Sequence, residues 1–377
     1  MSTSKTKAAF VYSKDCLKYD FGFSHVFRPE RAYHVWEALK KAGFFGEKLE
    51  EVLPVPASRK DLLLFHTERY IEALFREDEV LLYEHGIGFG DNPFFKGIYE
   101  AASTVAGATL TAARKLLEGY SIAFSFSGGL HHAHPDYASG FCLVNDACIA
   151  IKALINEGYG RRGSIMYVDI DAHFGDGVVY GLYDSGEVVT ISVHESGRYL
   201  FPGTGFLNER GKGKGEGLKI NVPLPPYAAE REFTAFVDRV FKPAVIRTMP
   251  EVLIVQSGTD GFKEDPLTHL KYSLHSYFYF YQTLKELFEK AGFNLIVLGG
   301  GGYVPPVASL IWLAAVLYLT HGLNFEETYQ LVLEEKLIPG IKKGLSWEPE
   351  KTKVIDHYEE DFQSTIETSA AYAESLG

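Results

Sequence analysis

The stretch Ile165-Met-Tyr-Val-Asp-Ile-Asp-Ala-His-Phe-Gly-Asp176 runs from an apolar segment into carboxylate and imidazole side chains. The apolar residues predict a buried strand, and Asp169, Asp171 and His173 alternate at its end, so that all three share one face. In an open α/β sheet, the carboxyl ends of parallel strands face the ligand crevice. Carboxylates and an imidazole in that position suit a divalent ion such as zinc. We therefore predict an α/β fold with a hydrolytic metal site.

The Asp-x-Asp pair in this stretch also has a simpler interpretation, since such residues often cap a helix or hydrogen-bond a turn. His173 follows the pair by two residues, and Asp176 opens the next segment. Both add side chains of the ligand type, which favours a metal site over a cap.

The rest of the chain alternates between strand-like and helix-like segments. The predicted strands are residues 8–12, 122–126, 165–169, 188–193, 218–222, 252–255 and 295–298. The predicted helices are residues 32–41, 99–117, 146–157, 231–247, 274–290 and 307–318. This alternation is typical of a mainly parallel sheet flanked by helices. Residues 86–92 and 210–217 are predicted loops. Since no repeat or long linker interrupts the pattern, we predict a single domain over residues 1–377, with a polar, acidic tail from about residue 348 that ends in a short helix.

Composition narrows the class of protein. The 377 residues are 46% hydrophobic, which is enough for a large core, and 49 acidic against 37 basic side chains give a net charge of −12 that argues against nucleic-acid binding. Cys16, Cys142 and Cys148 form no C-x-x-C pair, so neither a disulfide framework nor a thiolate zinc site is predicted. The N-terminal residues lack the apolar region of a signal peptide, and no apolar run reaches membrane-spanning length. We expect a cytoplasmic protein without a membrane partner.

Three other predicted strands end in unusual residues. Strand 122–126 leads through two glycines to His131 and His132, which could form a proton-transfer pair, although adjacent histidines are often only turn or surface residues. Strand 252–255 is followed by Asp260, a third ligand or a turn residue. The last predicted strand leads through four glycines, which allow close backbone approach to a ligand, to Tyr303.

Ordered motifs through most of the chain make it resemble the zinc-dependent histone deacetylase family, close to its class I proteins and to the prokaryotic acetoin-utilisation proteins. The motifs are Ser24-His-Val-Phe-Arg-Pro-Glu-Arg31, Leu64-Phe-His-Thr-Glu-Arg-Tyr-Ile71, Gly128-Gly-Leu-His-His132, Gly140-Phe-Cys-Leu-Val-Asn-Asp146, Asp169-Ile-Asp-Ala-His-Phe-Gly-Asp-Gly177, Phe201-Pro-Gly-Thr-Gly205, Gln256-Ser-Gly-Thr-Asp260 and Gly300-Gly-Gly-Tyr303. The resemblance implies the arginase/deacetylase fold and hydrolysis of the acetyl amide of acetyl-lysine in a protein or peptide, which is the expected partner.

The resemblance also implies two cation sites. Asp171, His173 and Asp260 would be the zinc ligands, and three protein ligands leave room for water and the acetyl oxygen. The same ligand set tolerates ferrous iron. Asp169, Asp171 and His173, together with Ser192, match a monovalent cation site for potassium.

The proton-transfer groups follow from the same resemblance. His131 and His132 would be the general base and acid, with Asp169 and Asp176 as the carboxylates that orient their rings. Tyr303 would donate its hydroxyl to the carbonyl oxygen and stabilise the oxyanion.

On the substrate side, Gly140, Phe141 and Phe201 match a narrow channel that would fit an aliphatic lysine stem. A single Phe is more often a core residue, so this role depends on the resemblance. Asp91 matches a rim carboxylate that holds the substrate backbone, and Arg31 matches the residue associated with acetate release.

Three further positions distinguish this chain within the family. Leu267, seven residues after Asp260, lies where polyamine deacetylases of the superfamily place an acidic residue, which favours acetyl-lysine over acetylpolyamines. Phe174 replaces a usual histidine, and Leu143 replaces a common tyrosine, so we expect altered packing beneath the site.

Two other functions compete with this interpretation. An arginase-type ureohydrolase shares the fold but binds two manganese ions and needs more carboxylates than Asp260 alone supplies at the later strand. A deacetylase-like acyl-lysine binder without turnover would have no use for the histidine pair and Tyr303.

Overall fold

The computed structural model describes residues 7–345 and 356–376. It contains one parallel sheet of eight strands in the order β2-β1-β3-β8-β7-β4-β5-β6. The strands are β1 (Ala8–Val11), β2 (Leu49–Val52), β3 (Ile122–Ser125), β4 (Ile165–Asp169), β5 (Val188–Glu195), β6 (Lys219–Leu224), β7 (Val252–Gln256) and β8 (Asn294–Leu298). The predicted fold class is confirmed.

Helices cover both faces of the sheet. They are α1 (Glu30–Lys41), α2 (Arg59–Leu62), α3 (Glu68–Arg76), α4 (Glu79–Glu84), α5 (Ile98–Leu117), α6 (Asp146–Asn156), α7 (Asp176–Gly181), α8 (Glu230–Phe236), α9 (Lys242–Thr248), α10 (Leu274–Ala291), α11 (Pro305–His321), α12 (Phe325–Glu334) and α13 (Asp356–Glu374). One π-helical turn over Val237–Phe241 joins α8 to α9, so the predicted helix 231–247 is nearly continuous.

Alternation along the central strand β4 divides the core into two layers. Met166 and Val168 pack in the layer that contains α1, α10 and α11, whereas Ile165 and Tyr167 pack in the layer that contains α5 and α6. Every residue of β4 is buried, because a parallel strand between two helical layers has no solvent-facing side.

Strand register brings the functional loops to one edge of the sheet. Asp169, the last residue of β4, lies opposite Ser192 of β5 and Gln256 of β7. Gln256 lies opposite Leu298 of β8, which pairs with Ser125 of β3. The loops that follow β3, β4, β7 and β8 therefore leave the sheet side by side.

The seven predicted strands are confirmed to within two residues at each end, and β2 was missed. This four-residue strand, Leu49–Val52, lies at the sheet edge and carries two glutamates. Glu50 accepts a hydrogen bond from the Tyr120 hydroxyl (2.7 Å) and pairs with Lys7 (3.0 Å). Its charges concealed the strand pattern in the sequence, although charged residues are common on edge strands.

The predicted acidic tail contains a longer helix than expected. Residues 346–355 lie outside the described part of the chain, and α13 then runs for 19 residues. Phe362, Ile366 and Ala370 are buried in the core, and the Ser369 hydroxyl donates to Asn221 O (2.9 Å) of β6. The tail thus contributes a core helix over the β6 edge.

In the described ranges, no single helix is long and apolar enough to cross a membrane. The helices α11 and α12 reach that length and apolar character only when they are taken together, and the chain bends by 117° between them.

Candidate active site

Three ligand-type side chains converge at the carboxyl edge of the sheet. Asp171 and His173 follow β4, and Asp260 follows β7. His173 Nδ1 lies 3.2 Å from Asp171 Oδ1 and 2.8 Å from Asp260 Oδ2, and all three residues are buried. One ligand atom from each lies within 4.8 Å of the others. The structure therefore places the three predicted metal ligands together.

The remaining carboxylate oxygens of this cluster are held by neighbouring groups. Asp171 Oδ2 accepts hydrogen bonds from Gln256 Nε2 and from Gly301 N, both at 2.7 Å. Asp260 Oδ1 accepts one from Ala172 N (2.8 Å). Such outer contacts fix the direction of the ligand oxygens.

The backbone next to these ligands leaves space for them only because the residues at two positions are glycines. A Cβ on Gly258 would lie 2.2 Å from Asp171 Oδ2, and a Cβ on Gly301 would lie 2.1 Å from Asp260 Oδ2. Burial raises the pKa of Asp260 to about 7, and the charge of Asp171 adds to this effect. Two buried carboxylates and one imidazole in such a tight cradle fit a divalent cation, which would offset their negative charge.

Both predicted histidines lie beside this cluster, each paired with a buried carboxylate. His131 Nδ1–H donates to Asp169 Oδ2 (2.8 Å), and His132 Nδ1–H donates to Asp176 Oδ1 (2.7 Å). The two ring centroids are 4.0 Å apart. His131 Nε2 is 3.9 Å from Oδ1 of Asp171. Because the carboxylates hold both Nδ1 atoms, Nε2 of each ring is the atom left for proton transfer.

The two histidines differ in their electrostatic surroundings. Burial lowers the pKa of His131, but Asp169 and Asp171 more than compensate and raise it to about 9. Burial lowers the pKa of His132 to about 4, and the charge of His131 contributes. The carboxylates therefore favour the charged form of the His131 ring, whereas burial favours the neutral form of His132.

Several groups at the site were missed in the sequence. His134 Nε2 lies 3.0 Å from Asp176 Oδ2, so this carboxylate serves two imidazoles. The Tyr167 hydroxyl donates to Asp169 Oδ2 (3.0 Å). The His-His-Ala-His spacing was the available signal for His134, whereas Tyr167 looked like an ordinary strand residue.

Asp265 was also missed, and it connects two predicted site residues. Its Oδ2 accepts from Tyr303 N (2.7 Å), and its Oδ1 accepts from Leu267 N (3.0 Å). Burial raises the pKa of the Tyr303 phenol well above its ordinary value, so the hydroxyl keeps its proton. The Tyr303 ring packs edge-on against Phe141, with centroids 5.7 Å apart.

A narrow cavity joins these groups. It is lined by Phe27, Gly129, Leu130, His131, His132, Gly140, Phe141, Cys142, Asp171, His173, Gly300, Gly301 and Tyr303. Phe201 is 41% exposed, and its ring centroid lies 5.0 Å from that of His132. Gly140 has a φ of 51°, and a Cβ there would lie 2.4 Å from the His132 ring. The predicted channel residues thus surround the histidine pair.

Asp91 lies exposed near the mouth of this cavity. Its carbonyl accepts a hydrogen bond from His25 Nε2 (3.3 Å), and the His25 ring packs against Phe141 with centroids 4.6 Å apart. These contacts link Asp91 through His25 to Phe141, and its role toward the substrate backbone stays a prediction.

Arg31 is buried and lines a second narrow cavity. Its guanidinium donates to Gly300 O (2.9 Å) and Gly302 O (2.8 Å) and lies between the rings of Phe27 and Trp312. Phe27 and Gly300 line both cavities, so the cavity at Arg31 adjoins the one beside the histidine pair.

Three other predicted positions are buried beneath the site. Ser192 lies opposite Asp169 in the sheet, but its hydroxyl contacts His194 Nδ1 (2.9 Å), and the potassium site stays a prediction. Phe174 packs on the His194 ring at 4.9 Å. The Leu143 backbone N–H donates to the Tyr19 hydroxyl (2.7 Å), so a neighbouring tyrosine supplies a hydroxyl close to this position.

Comparison with known proteins agrees with this geometry. Residues 25–319 match the model of the histone deacetylase domain. The acetoin utilization protein AcuC of Bacillus subtilis is 37% identical over 322 residues, 81% of each chain. Histone deacetylase clr6 of Schizosaccharomyces pombe is 36% identical over 323 residues, 83% of this chain and 76% of that protein.

Solved structures show the same similarity. The crystal structure of an HDAC homologue complexed with SAHA superimposes with a TM-score of 0.78 and 29% identity, covering 97% of this chain and all of the other. The HDAC homologue from Aquifex aeolicus gives 0.77 at the same identity and coverage. The family expected from the motifs is confirmed: the chain belongs to the histone deacetylase family and is a deacetylase-type hydrolase.

Proposed function

We propose that this enzyme hydrolyses the acetyl amide of acetyl-lysine in a protein or peptide and releases acetate, with zinc as its metal. The main support is the buried cluster of Asp171, His173 and Asp260 beside two imidazoles that each pair with a carboxylate. This combination of a divalent-metal donor set and a proton-transfer pair suits amide hydrolysis.

Asp171, His173 and Asp260 would hold the metal. When bound, zinc supplies Lewis acidity toward a carbonyl oxygen and toward water. Ferrous iron would fit the same donors, so the native metal is part of the experiment below.

The histidine pair would move the protons. One Nε2 takes a proton from the attacking water, and the other donates a proton to the departing amine of lysine. The carboxylates of Asp169 and Asp176 keep both Nδ1 atoms protonated and stabilise the charged rings.

Tyr303 would donate its hydroxyl to the acetyl oxygen as negative charge develops there. Its raised pKa keeps the donor protonated at neutral pH. Phe141, which lines the cavity, and Phe201, which packs on His132, would enclose the aliphatic stem of the side chain, and Arg31 would attract the acetate product.

The preference for acetyl-lysine over acetylpolyamines is supported by Leu267. This residue is partly buried and tied to Asp265, close to Tyr303 in the loop network. A leucine offers no charge to a cationic amine, so a polyamine would gain nothing from it.

The test compares an acetyl-lysine peptide with acetylspermidine and acetylputrescine, using metal-stripped protein to which zinc or ferrous iron is added. We expect metal-restored release of acetate from the peptide, with much slower turnover of both polyamines. Preferential turnover of a polyamine would overturn the substrate assignment. Failure of both metals to restore any turnover would overturn the proposed chemistry.

A further inference from the structure

The cavity beside His131 and His132 adjoins a groove on the surface. A depression of about 610 Å³ is lined by Gly140 and by the loop Gly86–Asn92, including Asp91. It adjoins a second depression of about 780 Å³, and Gly86 and Phe89 line both. Because Gly140 also lines the cavity beside His131 and His132, the three adjoin one another in sequence.

Aromatic side chains form much of the outer part of this groove. Tyr83 is 63% exposed, Phe89 is 50% exposed and Tyr137 is 41% exposed. The rings of Tyr83 and Phe89 contact each other, with centroids 4.7 Å apart. Large aromatic rings exposed together at one place are typical of an interaction surface.

The groove is also acidic. The charged side chains that line it are three carboxylates, Glu84, Asp91 and Asp136, and one guanidinium, Arg69. Arg69 is paired with Glu84. Asp91 and Asp136 therefore leave a net negative charge next to the aromatic faces, which attracts cations and disfavours anions.

The walls of the groove are fixed by backbone contacts. Ala138 N donates to His85 O (2.9 Å), which joins the two sides, and Gly88 N donates to Asn92 O (2.8 Å) within the loop. The His85 ring donates to Asp136 O. Gly86 has a φ of 78°, and a Cβ there would lie 2.7 Å from Ala138 O. A preformed groove of this kind costs little ordering on binding.

We infer that this groove binds the polypeptide that flanks the acetyl-lysine and selects a cationic residue, Arg or Lys, within it. The inference rests on the proposed function, because it assumes that the acyl chain enters the cavity at Gly140. The selected residue would lie close to the acetyl-lysine in the peptide sequence, because the groove begins at Gly140. Carboxylates attract its charge, and the aromatic faces bind its cation and its stem.

The test uses acetyl-lysine peptides of equal length that carry one Arg, Gln or Glu at each flanking position in turn. We expect kcat/KM for Arg to exceed that for Gln by about fivefold at one or more positions, through KM, with Glu below Gln. The preference should shrink as salt rises from about 0.05 to 0.5 M.

Variants of the groove residues test whether the groove produces the preference for Arg. The Arg-to-Gln ratio should fall toward one in Asp136→Asn and in Phe89→Ala. It should stay unchanged in Glu286→Gln, which removes an exposed carboxylate of α10 that does not line the groove. Thermal melting confirms that each variant is folded.

The outcomes separate the two proposals. Equal kcat/KM for the three peptides, with normal turnover of a capped acetyl-lysine, would overturn the groove and leave the proposed function standing. An Arg preference that survives both groove variants would also overturn it. Absence of turnover for peptides and capped acetyl-lysine alike would count against the proposed function itself.

Discussion

At the scale of single residues, shared carboxylates organise the site. Asp176 holds His132 and His134, and Asp169 holds His131 and Tyr167. The residues that perform the proposed chemistry could be found in the sequence because each follows a strand. The residues that hydrogen-bond to them, such as Tyr167, could not be found in this way, because the sequence does not show which partner a strand tyrosine will contact in the fold.

Tyr303→Phe should lower kcat by about 10²–10³-fold, because it removes the one hydroxyl that the proposal assigns to the developing oxyanion. The ring would still pack on Phe141, so binding of the acetyl-lysine peptide should change little. Single-turnover rates and equilibrium peptide binding measure the two effects separately. A variant with wild-type kcat would remove Tyr303 from the mechanism.

Leu267→Glu should raise the ratio of acetylspermidine to acetyl-lysine peptide turnover by about tenfold, because it adds a carboxylate to the loop that Asp265 ties to Tyr303. Leu267→Gln is the matched control, since it has the same size without the charge. The ratio of kcat/KM values for the two substrates measures the effect. If both variants shift the ratio equally, charge at this position does not select the substrate.

At the scale of elements, periodicity identified the long helices and the buried strands, whereas short or charged segments escaped it. The strand β2 has only two apolar residues, and α7 is six residues long. The polar, acidic tail was expected to end in only a short helix, yet every third or fourth residue of α13, as at Phe362, Ile366 and Ala370, packs in the core. Composition concealed a pattern that spacing would have shown.

Ile366→Ala should destabilise the protein by about 2–4 kcal/mol, because Ile366 is fully buried on the core-facing side of α13 and truncation of its side chain leaves a cavity. Glu367→Ala, one residue further on the exposed side of the same helix, should change the free energy of unfolding by less than about 0.5 kcal/mol. Denaturant unfolding compares the two variants. A similar effect of both would mean that α13 does not pack as described.

At the scale of the whole molecule, the fold gathers distant residues onto one sheet edge and buries charge to do so. Asp171 and Asp260 are 89 residues apart, yet both contact His173. The order β8-β7-β4 that makes this contact could be expected only from the family resemblance, because spacing along the chain does not fix strand order. Burial of charge also occurs away from the site, at Lys219 on β6.

Lys219 is fully buried, and its Nζ donates to Val188 O (2.6 Å). Burial lowers its pKa from 10.5 to about 7. The unfolded chain therefore binds the lysine proton more tightly than the folded protein does. Lys219 consequently lowers the free energy of unfolding at and below pH 7, and this destabilisation decreases as the pH rises toward 10.5.

Lys219→Met should accordingly stabilise the protein near pH 6.5 by about 1–3 kcal/mol, after allowance for the lost hydrogen bond, and by less near pH 9.5. Lys60→Met, at an exposed lysine of α2, is the control and should show no such trend. Thermal unfolding at several pH values measures the difference. A gain that grows with pH would contradict the assigned titration.

The central claim is that one divalent metal, held by Asp171, His173 and Asp260, is required for deacetylation. The most direct measurement is a titration of metal-free protein with zinc while acetate release from an acetyl-lysine peptide is followed. We expect activity to rise in proportion to added zinc and to level off at a single equivalent per chain, with no rise in Asp260→Asn. Full activity in the metal-free protein, or a plateau only at two equivalents, would contradict it.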